Sequence, residues 1–212
     1  MIRLIAAATF CLLLTACVET RFESTPGDVN TTCDARWKGL WTEGNTKNDD
    51  GAIYVDDECH WIVLDRPKPH APLNRIQVPM QYAHIDGKDY LIVADTALKD
   101  LVKLEPPYSI EPAPAQSYYL VFYQLRGDSV ELTQVNSERV AQLILEGKLE
   151  GTISKTANEL HVFVRGDRAR ILEIVRKFPI FDSQKPTHFV RRHQTLDEFE
   201  RVAAPAPAKK AP

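Results

Sequence analysis

Six histidines, four cysteines and an acidic run between Asn48 and Glu58 are the residues of this 212-residue chain whose types could do chemistry. His60, His70, His84, His161, His188 and His193 are scattered, and the chain contains no Gly-x-Ser-x-Gly, Ser-x-x-Lys or His-Glu-x-x-His. His188 and His193 stand five apart, a spacing that does not bring two imidazoles onto one helix face. Each histidine is expected to be a surface or satisfied core residue, with no catalytic, cofactor-binding or metal-ligating residue assigned. With Gly51 placed sixth in a calcium loop, Thr46 falls first, Asn48 third, Asp50 fifth and Asp57 twelfth. The first ligand and the bidentate glutamate are then both wrong, and a solvated turn is expected. Two Arg-Gly-Asp tripeptides, at 126–128 and 165–167, fall where a hairpin turn and a helix cap are needed, so turn chemistry explains them without adhesion.

The cysteines are read through the start of the chain. Arg3 precedes an almost unbroken apolar run from Leu4 to Leu14, which is shorter than the roughly 20 residues a membrane-spanning helix needs and matches the h-region of a secretory signal. The run closes on Leu14-Thr15-Ala16-Cys17, which resembles the lipobox of bacterial lipoproteins. The resemblance implies that residues 1–16 are a lipoprotein signal peptide and that Cys17 becomes the lipidated first residue of the mature protein. Acyl chains such as palmitate would then hold it on a membrane, each buried methylene contributing about 0.8 kcal/mol. Val18 stands where an aspartate would favour retention at the inner membrane, so the resemblance implies the outer membrane and a periplasmic setting.

On that reading Cys11 leaves with the signal and Cys17 is consumed by lipid, which leaves Cys33 and Cys59 in an oxidising compartment. A disulfide between them is expected, stabilising by about 3.5 kcal/mol through its closed loop. Two free thiols or a metal site are the alternatives, the latter lacking the short-spaced ligands of a zinc centre.

Removing Arg3 with the leader takes the net charge from −3 to −4. The longest basic cluster, Arg191-Arg192-His193, reads as a solvated face and leaves no footprint for nucleic acid. Residues 17–32 are mostly polar with a Pro-Gly break and read as a lipidated flexible tether, in which Phe22 is able to dock. Residues 33–203 form one domain, and 204–212 are a disordered Pro/Ala tail.

Alternating apolar residues predict strands at 37–42, 52–55, 59–64, 75–82, 90–93, 118–125, 129–135 and 159–165, with Asp86-Gly87 as a turn. Caps and helical period predict helices after Asp95 or Thr96, after Asn136 or Ser137 up to Gly147, and after Asp167 up to Pro179. A further one is predicted at 195–203, where Thr195-x-x-Glu198 is a capping box. Prolines 106, 107, 112 and 114 place a long loop between an N-terminal β-rich half and a C-terminal mixed half. The expected fold is therefore a single α+β domain, mainly an antiparallel sheet with about three helices packed on one face.

Gly39-Leu40-Trp41 resembles the Gly-x-Trp opening of lipocalins and related calycin barrels, in which the tryptophan plugs one end of a ligand-holding barrel. The helices expected near 137–146 and 167–178 depart from the eight successive strands of that family. A core cluster of Trp37, Trp41 and Trp61 is the plainer expectation. Together these features lead to a membrane-anchored envelope lipoprotein, a non-enzymatic binding or structural module that engages an envelope protein or cell-wall partner. A lipid carrier and an envelope hydrolase are the alternatives, and the expectation leans away from an enzyme.

Overall fold

The sequence alternates apolar and polar residues through many short segments, and the chain answers with strands. The structure, a computed structural model, describes residues 18–30, 32–44, 51–65, 73–98, 116–156, 159–181 and 186–203. Residues 1–16, expected to be a signal peptide, Cys17, and 204–212, expected to be a tail, lie outside the described residues. Among the described residues twelve strands run in order: β1 (Val18–Phe22), β2 (Gly39–Glu43), β3 (Gly51–Val55), β4 (Trp61–Asp65), β5 (Asn74–Val78) and β6 (Gln81–Ile85), then β7 (Lys88–Ala94), β8 (Tyr118–Arg126), β9 (Ser129–Gln134), β10 (Gly151–Lys155), β11 (Leu160–Val164) and β12 (Thr187–Arg192). The helices among the described residues are α1 (Ser137–Leu145), α2 (Arg168–Lys177) and α3 (Leu196–Ala203), with short 3-10 helices at Ala35–Trp37 and Asp95–Leu98.

The helices begin where the caps stand. Asn136 accepts from the Arg139 N–H and Asp167 from the Arg170 N–H, each satisfying an otherwise unpaired donor of the first turn. Thr195 and Glu198 close a reciprocal capping box, the Thr195 N–H donating to the Glu198 carboxylate at 2.7 Å and the Glu198 N–H to the Thr195 hydroxyl at 3.2 Å. The hairpins turn where the dipeptides predict. Asp86 and Gly87 both take positive φ, 50° and 77°, between β6 and β7. Gly127-Asp128 alone separates β8 from β9, and the single strand expected over 75–82 breaks at Pro79 into β5 and β6.

The α+β expectation, with about three helices on one face of a mainly antiparallel sheet, is corrected. All twelve strands belong to one mixed sheet that dominates the domain, and the helices are only nine, ten and eight residues long. They pack in two separate clusters. Residues of α1 and α2 close one core with Phe22, Ile92, Leu120 and Val164, whereas Phe199 of α3 packs with Leu40, Ala52 and Leu64. One pair, β1 with β11, is parallel. The balance shifted because three strands (β1, β10 and β12) carry polar residues on one face and were not anticipated.

The longest strand, β8, organises the sheet. One edge pairs with β7 from Tyr118 to Tyr123. The other is divided, with Tyr118 opposite Phe22 of β1 and Val121–Arg126 opposite β9. Two arms therefore leave it, β1-β11-β10 and β9-β12-β2-β3-β4-β5. The second arm curls until Trp61 of β4 shares a core with Tyr82 of β6 and Leu91 of β7, and the Trp61 indole N–H donates to the Tyr82 hydroxyl. The Cys33–Cys59 disulfide, with Cα atoms 5.5 Å apart, ties the segment before Ala35–Trp37 to the β3–β4 turn.

The stretch read as a tether is tied down instead. Thr20 and Phe22 face α1, where Thr20 donates its hydroxyl to Ser137 at 2.7 Å and Phe22 is wholly buried. Glu19 and Arg21 face the other way. Beyond the strand, the Gly27 N–H donates to the Arg168 carbonyl at 3.0 Å, and Asn30 exchanges both backbone hydrogen bonds with Tyr82 at 2.7 and 2.8 Å. Burying a phenylalanine contributes about 1.5–3 kcal/mol, more than local polarity alone takes away. Phe22→Ala is expected to lower unfolding stability by about 3–5 kcal/mol. Urea titration checks this: a lower midpoint at unchanged slope supports the strand, and an unchanged midpoint would return the segment to a tether.

Candidate functional site

Charge is buried where β1, β8 and β11 meet. Alternation along β1 turns Glu19 and Arg21 to the same side, and the parallel register sets Glu19 beside His161. Arg21 is only 2 % exposed and lies 3.2 Å from the Glu19 carboxylate and 3.8 Å from Asp95 at the end of β7. Glu19 also accepts the Tyr119 hydroxyl at 2.7 Å and holds the His161 Nδ1 at 3.0 Å, while the far His161 nitrogen faces Glu159 at 3.6 Å. Asp95 is fixed in turn by Ser117, which donates its hydroxyl at 2.6 Å and its N–H at 3.1 Å. Burial, then the Glu19 carboxylate, pushes the Tyr119 phenol far above its ordinary range.

A cavity of about 30 Å³ opens at this junction, lined in part by Val18, Glu19, Thr20, Tyr119, Gln134 and Ser137. That is room for about two waters and not for an organic substrate. The chemistry available is the exchange of protons within a hydrogen-bonded chain of carboxylate, phenol and imidazole. Its structural effect is to lock β1 onto β8 and β11.

The other described histidines also sit against carboxylates: His60 with Asp56 at 2.8 Å, His84 with Asp89 at 2.6 Å, His188 with Glu131 at 3.7 Å and His193 with Asp128 at 3.2 Å. All four are half exposed or more. His70 lies outside the described residues, as do Thr46, Asn48 and Asp50 of the calcium-loop alignment, whose Asp57 pairs with Lys38 at 3.5 Å. Asp56, Glu58 and His60 form a group, missed in the sequence, whose donor atoms all lie within 4.8 Å of one another. They alternate along the β3–β4 turn, which is the signal that could have found them. Such a set could offer a divalent ion three ligands, from a solvent-facing position.

The curled arm is filled rather than hollow. Trp37 meets Trp41, Trp61 and Tyr123 at ring distances of 5.5, 4.6 and 5.2 Å, and the three indoles are at most 1 % exposed. Arg191 lies over Trp41 with its guanidinium 4.4 Å from the ring centre and donates to the carbonyls of Arg36 and Lys38. Gly39 permits this approach: its φ is 114°, and a Cβ there would meet the Arg191 Nη1 at 3.3 Å. Arg191 therefore belongs to the end of the tryptophan cluster and not to a solvated basic face.

Among the described residues no helix is long and apolar enough to cross a membrane. Compared with protein families, with curated proteins and with solved structures, the chain matches none of them.

Two outcomes follow from the buried groups. Arg21→Met is expected to cost about 3–5 kcal/mol, because it leaves buried carboxylates without their cation, and adding Glu19→Gln should return part of that loss. Denaturant titration of the single and double variants reads the difference, and equal losses would show that Glu19 does not depend on Arg21. At high pH, burial holds the Tyr82, Tyr119 and Tyr123 phenols well above the ordinary value of 10.0 and Tyr90 up to about 12. The folded state favours the neutral phenol, so stability is full below pH 10.0 and falls as pH rises through the folded values. Phenolate absorbance of the native chain should show these tyrosines ionising late and together with unfolding.

Proposed function

We propose that this chain is a lipid-anchored lipoprotein of the bacterial cell envelope, whose folded domain is a non-enzymatic binding or structural module. The observation that carries the reading is Leu14-Thr15-Ala16-Cys17 at the end of a short apolar run behind Arg3. The Cys33–Cys59 disulfide supports it, because such bonds persist in oxidising compartments. Val18 after the cysteine favours the outer membrane over the inner. The membrane is then the first partner, through acyl chains on Cys17, and an envelope protein or the cell wall is the second.

The packing argues against the carrier alternative, since indoles and a phenol occupy the interior a ligand would need. It lends little to a hydrolase, since the most buried described histidine, His161, lies between two carboxylates. Metabolic labelling with an alkyne fatty acid, followed by intact-mass measurement, tests the reading. A mature chain that begins at Cys17 and carries acyl mass is expected, with the label lost in Cys17→Ser. An unlabelled chain retaining residues 1–16, or cleaved elsewhere, would sink it.

A further inference from the structure

We propose that the domain rests directly on the lipid surface without a spacer, contacting it through the rim formed by Val18, the end of β10 and the start of β11. This rests on the acylation of Cys17 proposed above and says how the anchored domain meets its membrane. A lipidated Cys17 has its Cα about 3.8 Å from that of Val18, and Val18 is already the first residue of β1. A free tether of about 15 residues would reach roughly 20 Å, but the fold has taken those residues up.

Val18 is in register with Leu160, and Leu160 with Lys155. At about 4.8 Å per strand, Lys155 lies roughly 10 Å from Val18 across the rim. The Thr156 N–H donates to the Glu159 carbonyl at 2.9 Å, so the pairing of β10 with β11 extends to Thr156 and Glu159 beside the anchor. Of the described residues, only Val18, at 41 %, and Leu145 are large exposed hydrophobics. Val18 thus offers apolar surface next to the acylated residue, and the exposed Lys155 offers an ammonium for lipid phosphates. Peeling β1 away to regain a spacer would expose Phe22 and strip Arg21 of Glu19, so the strand stays in place.

Hydrogen exchange on the full acylated chain in vesicles of phosphatidylethanolamine and phosphatidylglycerol tests this. The comparison is a variant with a flexible Gly/Ser insert of about 20 residues between Cys17 and Val18, which reaches roughly 25 Å. The outward amides of Ile153 and Lys155, which alternate with the ladder-bonded Thr156, should exchange several-fold more slowly in the unmodified chain than in the insert variant, with α3 unchanged between the two. β10 is an edge strand, so its outward amides report solvent access directly. Equal exchange at the rim in two samples whose intact masses both carry the acyl chains would overturn direct apposition while leaving the anchor standing. A chain without acyl mass would overturn the anchor, and the apposition with it.

Discussion

A strand has two edges, and β8 has three neighbours. Its solution is to give β7 one whole edge and to divide the other, Tyr118 pairing with β1 and Val121 onward with β9. Everything else follows from that division. On one side of the fork the sheet carries α1 and α2. On the other it curls around the indoles of Trp37, Trp41 and Trp61. Where the arms part, backbone pairing gives way to side chains, and Glu19, Tyr119, Gln134 and Ser137 gather there around a space for a few waters.

The charges at that parting tie the β1-β11-β10 arm to β8 and the end of β7. Arg21 and Glu19 come from β1, Asp95 from the end of β7, Tyr119 from β8 and His161 from β11, so every bond but the Arg21–Glu19 pair crosses an element boundary. Taking such ions out of water costs several kcal/mol per group, which good geometry offsets. An apolar side chain would tolerate a slip of β1 along β11, whereas a carboxylate shared by arginine, phenol and imidazole fits one register.

Local features were legible in the sequence to the extent that they act locally. Asn136, Asp167 and Thr195 cap helices through hydrogen bonds a few residues away, and Asp86-Gly87 turns its hairpin unaided, so residue type and spacing were sufficient. The Cys33–Cys59 pair followed from an argument about compartment. β1 was read as a tether because Val-Glu-Thr-Arg-Phe is polar when taken by itself and becomes a strand only when β11 lies alongside. Arg191 was read as solvated because Trp41 and the carbonyls of Arg36 and Lys38 reach it from the other end of the chain. The buried ion cluster joins residues up to 142 positions apart, beyond any motif spacing.

The parallel pairing of β1 with β11 also orders the folding of the chain in time. Strands β2 to β9 meet mostly sequence neighbours and can zip up as hairpins, but β1 waits for a partner 142 residues downstream, a late and slow contact. A chain delivered N-terminus first holds its opening strand unpaired until α1, β10 and β11 have emerged. For that interval the strand that ends in Phe22 is an open edge, and a chaperone that shields it would govern the yield of folded protein more than the stability of the finished sheet would.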